Sequence, residues 1–177
     1  MSLSAEGQRT LLLRVARETM IARGLAPDFP PAALAEAGQL AAPRPPFGAE
    51  VRDLRALPWC SIDNDDSRDL DQLTLAEAMP EGATRVLVAV ADVSASVRLG
   101  SALDDHAAAN TTSVYTPPQV FPMLPPRLST DLTSLNEGEE RLAVVVATAV
   151  DSGGAATGLE VYRALEAAVR RRQALVF

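Results

Sequence analysis

Near the start of the chain, apolar residues recur at helical spacing: Leu11, Leu12, Val15, Ile21 and Leu25, with Arg9, Arg14 and Arg17 between them. That periodicity predicts an amphipathic helix over residues 7–24. Pro27, Pro30 and Pro31 are expected to end it and to open a second short helix over 32–40. Residues 41–48 carry Pro43, Pro45 and Pro46 and read as a stiff linker. Beyond the linker the apolar runs shorten. W-C-S-I at 59–62 predicts a short strand, residues 72–76 another, and R-V-L-V-A-V-A-D-V at 85–93 a strand apolar on both faces. Ser101 stands where it would cap a helix over 103–109, and a proline-rich loop follows at 116–126. Residues 142–150 read as a second buried strand, D-S-G-G at 151–154 as a turn, and 158–163 as its hairpin partner. Residues 164–175 read as helical. These elements predict an α+β fold, a mixed β-sheet with helices preceded by a short N-terminal helical segment. The expected division is 1–48, a helical cap or packing arm with its linker in preference to a DNA-reading helix-turn-helix, and 49–177, the sheet domain.

Composition narrows the class without naming it. The 177 residues are 47% hydrophobic, 22% charged and 4% aromatic, an ordinary globular profile whose core is Ala, Val and Leu. No apolar stretch approaches the roughly 20 residues that span a bilayer, and no basic leader precedes an apolar segment at the N-terminus. Cys60 stands alone, which excludes an internal disulfide. The expectation is a cytoplasmic chain with no membrane partner and no organic cofactor; oligomeric state is left open. A net charge of −7 argues against a general nucleic-acid binder, which usually carries a basic footprint. Two details weaken that argument. All 16 basic residues are arginine, the better fork for phosphate oxygens, and five of the 23 acidic residues fall between Asp63 and Asp71.

That tract, S-I-D-N-D-D-S-R-D-L-D-Q at 61–72, is the most informative stretch of the chain. Its carboxylates (Asp63, Asp65, Asp66, Asp69 and Asp71) repel one another unless water or a cation neutralises them. A solvated acidic loop is one reading. An EF-hand calcium loop is another, but Arg68 and Thr74 stand where its glycine and glutamate are required. Magnesium suits the tract better, because it takes a few carboxylates, keeps waters and shares positions with substrate phosphates. Two such ions about 4 Å apart can activate a water and stabilise a leaving oxygen. Asp69 and Asp71 are two residues apart and face the same way on an extended backbone. Asp63, after the preceding apolar residues, can approach from another direction.

The tract resembles the signature of the RNB exoribonuclease domain, the ribonuclease II and R family, in which one Asp is followed six, eight and nine residues later by others. Asp63, Asp69 and Asp71 match the first three positions, and Gln72 departs from the fourth. The resemblance continues through V-A-D-V-S at 90–94, N-T-T-S-V-Y-T-P-P at 110–118 and F-P-M-L-P-P-R-L-S-T-D-L-T-S-L-N at 121–136, and covers about residues 50 to 163. It implies a magnesium-dependent 3′→5′ exoribonuclease that degrades single-stranded RNA to nucleoside 5′-monophosphates, with 49–177 an incomplete catalytic domain. A non-catalytic RNA- or partner-binding remnant of the same fold is the alternative. Carried over, Asp63 and Asp69 are metal ligands, and Asp71 is the carboxylate tied to chemistry. Gln72 offers one amide oxygen without charge. Tyr115 falls where the family stacks an aromatic ring on a base near the 3′ end; the alternative is packing beneath Pro117 and Pro118. Arg127 and Arg141 are candidates for RNA phosphates or ordinary surface residues. Asp92, at the end of a buried strand, either lines the cleft or serves structural hydrogen bonds. His106 reads as a surface or satisfied side chain, Cys60 as a strand residue, and Arg170 to Arg172 as a basic helix end that suits the helix dipole as well as it suits RNA. An arginine that the family places near the scissile phosphate would lie beyond Phe177.

Overall fold

The computed structural model describes residues 4–43, 51–64 and 67–167. The chain forms two compact units, one from Met1–Leu40 and Val97–Arg127, the other from Ala41–Ser96 and Leu128–Phe177. Much of the expected 41–48 linker and the basic cluster at 170–172 lie outside the described residues.

The first unit is helical. Helix α1 spans Ala5–Ala22, with the Ser4 hydroxyl accepting from the Gly7 amide. Its end is set by Gly24 (φ 79°), not by the prolines that follow. Leu25 N–H donates to the Met20 carbonyl and Gly24 N–H to that of Ile21, the crossed pair that closes a helix through a left-handed residue. Helix α2, Pro31–Gln39, starts on proline, whose missing N–H costs nothing there. Helix α3, Ala102–Asn110, is capped as expected by Ser101. The Glu36 carboxylate accepts from Leu103 N–H and satisfies a second free amide of that helix. Asn110 grips the backbone of Ala26 from both sides, its Oδ1 accepting from the amide at 2.7 Å and its Nδ2 donating to the carbonyl at 2.9 Å. His106 is buried against Phe29, with ring centroids 4.4 Å apart, and its Nε2 lies 3.0 Å from the Asn110 amide nitrogen. It is a core histidine and not a surface one: burial lowers its pKa, and its Nδ1 finds no hydrogen-bond partner among the described residues. The proline-rich loop folds back on itself as a short ribbon, β4 (Val114–Tyr115) against β5 (Val120–Phe121).

The second unit is a five-stranded mixed sheet. In chain order its strands are β1 (Val51–Asp53), β2 (Gln72–Ala78), β3 (Thr84–Ala91), β6 (Glu140–Val150) and β7 (Ala156–Ala167); in space they run β1-β7-β6-β3-β2. Only β1 pairs in parallel, with β7. The β6–β7 hairpin turns where the sequence predicts. Asp151 caps the turn by accepting from the amides of Gly153 and Ala155, and Gly154 takes the positive φ (87°) that closes it. Alternate residues of the sheet, Leu73, Leu75, Leu87, Ala89, Ala143, Val145 and Ala164, bury one face against Trp59, Leu70 and Leu135. The other face is less covered: Val88 and Val146 are half-buried, while Val90 and Val161 are 43% and 61% exposed. The apolar run at 85–93 is thus a strand buried on one face and not on both.

Two further expectations fail. W-C-S-I at 59–62 forms no strand; it contributes a single bridge, Cys60 to Thr74. Residues 164–167 are not helical but continue β7, because pairing with Glu140–Ala143 overrides the helix propensity of Ala, Leu and Glu. The α+β class stands.

Candidate active site

The acidic tract runs along the end of the sheet and is held from beneath. Trp59 is fully buried and donates from its indole N–H to the Leu54 carbonyl. Cys60 then exchanges both backbone hydrogen bonds with Thr74 of β2, at 3.0 and 2.8 Å. This bridge delivers the chain to Ser61, whose hydroxyl donates to Asp63 Oδ2 at 2.7 Å. Asp63 itself is exposed. Asp65 and Asp66 lie outside the described residues.

Asp69 and Asp71 flank Leu70, and the pattern is exposed, buried, exposed. Leu70 is fixed by more than its side chain. Its N–H donates to Ser134 Oγ at 3.0 Å, and its carbonyl accepts from Leu135 N–H at 2.8 Å. The Ser134 hydroxyl donates onward to the Arg68 carbonyl at 2.8 Å. One turn after β5, then, clamps the backbone that carries both carboxylates. The Asp71 carbonyl accepts from Ala91 N–H, and Gln72 begins β2 opposite Val90. Gln72 is exposed.

In kind, these donors fit magnesium: exposed carboxylates and an amide oxygen, all hard ligands. Among the described residues, however, no three His, Cys, Asp or Glu side chains are gathered closely enough to cage a metal ion. The two observations are compatible. Magnesium commonly binds through one or two carboxylates, its remaining positions filled by water and substrate phosphate.

The remaining predicted residues fall as follows. Tyr115 and Arg127 belong to the helical unit. Tyr115 is 67% exposed, so it is not packed away beneath Pro117 and Pro118. Arg127 donates to the Leu40 carbonyl at the end of α2. Arg141 is neither a surface residue nor open to phosphate. It is buried, and its guanidinium donates to the carbonyls of Ser134 (3.1 Å), Glu140 (3.1 Å) and Asp131 (3.2 Å).

Asp92 follows β3 with its side chain 2% exposed. Its Oδ1 accepts from Ser94 Oγ at 2.6 Å, and Arg163 Nε of β7 sits 2.8 Å from its Oδ2, an ion pair by distance without hydrogen-bond alignment. Arg163 Nη2 donates to the same Ser94 hydroxyl at 3.0 Å. Sequence reasoning singled out Asp92 but missed Arg163. The available signal was that a carboxylate buried at a strand end requires a cation from a neighbouring strand. It also missed Glu166 on β7, fully buried beside Arg141, with no hydrogen-bond partner for either oxygen among the described residues. Burial pushes this carboxyl up to about 7, against the opposing pull of Arg141.

Comparison with known proteins places this arrangement. The RNB domain pattern matches residues 51–174 and so takes in segments of both compact units. Ribonuclease R of Vibrio cholerae is 46% identical over 113 residues, which is 64% of this chain and 14% of that protein. Ribonuclease R of Acidithiobacillus ferrooxidans is 40% identical over 149 residues, 84% of this chain and 34% of that one. Among solved structures, Mycoplasma genitalium RNase R in complex with ribose methylated single-stranded RNA superposes with a TM-score of 0.81 at 28% identity, covering 90% of this chain and 25% of that one. The chain thus spans only a minor part of the relatives it matches. No helix among the described residues is long and apolar enough to cross a membrane. With its Asp-Leu-Asp segment clamped at the sheet end and its sequence matched over most of its length, the chain belongs to the RNB domain family.

Proposed function

We propose that this chain is part of a magnesium-dependent 3′→5′ exoribonuclease of the cytoplasm, which hydrolyses single-stranded RNA to nucleoside 5′-monophosphates. The observation that carries this reading is the exposed Asp69 and Asp71 on either side of the clamped Leu70, within a chain of the RNB family. The complexes of Mycoplasma genitalium RNase R with single- and double-stranded RNA support RNA as the substrate class.

Asp63, Asp69, Asp71 and the Gln72 amide oxygen are the groups that would hold magnesium. When bound, magnesium supplies an activated water and stabilises charge on the leaving oxygen. The chain's own contribution is positional. The Ser134 and Leu135 bonds to Leu70 fix the backbone between the two carboxylates, and the Ser61 hydroxyl orients Asp63. A preset carboxylate spends no reorganisation energy when the reacting phosphate arrives. Tyr115, as an exposed ring, is suited to stack on a base near the 3′ end of the strand.

The test is incubation of a 3′-labelled single-stranded RNA with magnesium, using Asp71→Asn as the control. Release of labelled mononucleotide by the unsubstituted chain, absent from a variant that still binds RNA, is the expected result. Equal loss of binding and hydrolysis in the variant would sink the role given to Asp71. A second reading, a non-catalytic RNA-binding remnant, is favoured by the neutral Gln72. Binding without release by the unsubstituted chain would establish it.

A further inference from the structure

The ring of Asp92, Ser94 and Arg163 is more elaborate than a buried carboxylate requires. Neutralising Asp92 takes one cation at one oxygen, which Arg163 Nε supplies at 2.8 Å. The guanidinium is nevertheless held a second time, by Nη2 on Ser94 Oγ at 3.0 Å, while that hydroxyl donates to Asp92 Oδ1 at 2.6 Å. One hydrogen bond to Ser94 and one close ion contact to Asp92 therefore hold the fork against the strand end. The Arg163 side chain stays 50% exposed, whereas that of Asp92 is 2% exposed. A guanidinium carries five N–H donors, and this ring engages only Nε and Nη2.

Strand register says where the exposed part of the fork stands. Gln72 pairs with Val90, Val90 with Val144, and Val144 with Arg163. Directly opposed residues of antiparallel strands project from the same face, so Gln72 and Arg163 share one face of the sheet. They stand in a single row, three strand spacings or about 14 Å apart. The two residues between them are valines, and Val90 is 43% exposed. An RNA strand whose reacting end lay at the acidic tract would meet strong negative charge there. A fixed cation in the row that begins at Gln72, next to Asp71 in the chain, offers its backbone a compensating contact.

We propose that Arg163, oriented by Asp92 and Ser94, contacts a backbone phosphate of the bound RNA strand on this face, a few nucleotides from the acidic tract. The proposal rests on the ribonuclease reading above. An arginine already locked in place loses little side-chain entropy when an anion binds, and its planar fork matches phosphate oxygens. Asp92 and Ser94 are then positioning residues that act through Arg163.

The test is the salt dependence of binding to a fluorescently labelled single-stranded oligoadenylate. Arg163→Ala alone would leave Asp92 buried and unpaired, and the fold itself could suffer. The informative variant is therefore Asp92→Asn/Arg163→Gln, which removes both charges and is expected to keep a melting temperature close to that of the unsubstituted chain. Loss of one phosphate contact makes the slope of log K against log[salt] shallower by about 0.7 for a single strand. Asp92→Asn alone, which retains the cation, should keep the original slope. A double variant with an unchanged slope overturns the contact and leaves the ribonuclease reading standing. No binding by the unsubstituted chain at any salt concentration overturns both.

Discussion

Replacing Glu166 with glutamine should change how stability depends on pH, with a size and sign set by the site. Glu166 is 0% exposed, and neither of its oxygens has a hydrogen-bond partner among the described residues. Its register partner Arg141 exerts some attraction, but that guanidinium already donates to the carbonyls of Ser134, Glu140 and Asp131 and to the Glu139 carboxylate. Burial therefore dominates and raises the carboxyl from 4.5 to about 7. The unfolded chain gives up this proton near 4.5, whereas the folded chain keeps it to about 7. The group's contribution to stability is thus complete below pH 4.5 and is lost as pH rises through about 7. At about 1.4 kcal/mol for each pH interval of one, the loss amounts to about 3 kcal/mol. Glutamine fills nearly the same volume and never ionises. Urea unfolding at pH 5, 6, 7 and 8, followed by the fluorescence of the single tryptophan, Trp59, measures the effect directly. The variant should gain on the parent between pH 5 and 7 and level off above it, the full effect of about 3 kcal/mol being reached by pH 8. The surface carboxylates are common to both chains and cancel in the difference. Parallel pH profiles would refute the reasoning, because they would mean that Glu166 is solvated or paired in the folded protein.

The other predictions concern the acidic tract and its supports. Ser134→Ala removes the acceptor of Leu70 N–H and should cost about 1–3 kcal/mol in urea unfolding; a neutral result would mean that the clamp does not hold. Gln72→Asp adds a charged oxygen next to Asp71, so magnesium should bind more tightly in a calorimetric titration. No gain would place the amide away from the metal. Tyr115→Ala should weaken single-stranded RNA binding by about 1–3 kcal/mol without moving the melting temperature, and an unchanged affinity would remove the stacking role given to the ring.

Much of the fold was legible because its signals are local. Ser101 capped α3 as read, and Asp151 with the glycines after it turned the β6–β7 hairpin. Local signals also misled where a distant partner decided the outcome. A-L-E-A at 164–167 favours helix when isolated, yet it completes a strand because Glu140–Ala143 lie alongside. β1, only three residues long, went unread because it exists only through its parallel pairing with β7. The common facing of Asp69 and Asp71 was readable for the same reason as the hairpin, since the alternation lies within three consecutive residues. Arg163 and Glu166 were not, because the meaning of a charge on β7 depends on which residues of β3 and β6 face it.

The clamp around Leu70 gives physical content to a segment that entered as resemblance alone. L-S-T-D-L-T-S-L-N begins with a π-turn over Leu128–Leu132 and ends at Ser134 and Leu135, which bond the amide and carbonyl of Leu70. Arg141 of β6 donates to one carbonyl of that turn, at Asp131, as well as to Ser134. A buried guanidinium in the sheet is thus two hydrogen-bonded links from Leu70, between the carboxylates of the site: Arg141 to the Ser134 backbone, then the Ser134 hydroxyl to the Leu70 amide. This accounts for burying an arginine where an apolar residue would pack more cheaply. Its desolvation is offset by three carbonyl acceptors, and in return the geometry of Asp69 and Asp71 is tied to the most regular part of the sheet instead of to a free loop. Glu166 stands against the same arginine on β7, so ionisation of its carboxyl places a charge beside the group that braces the site. Stability and site geometry are therefore coupled through Arg141, and the Glu166→Gln series reads both when magnesium binding is titrated at the same pH values.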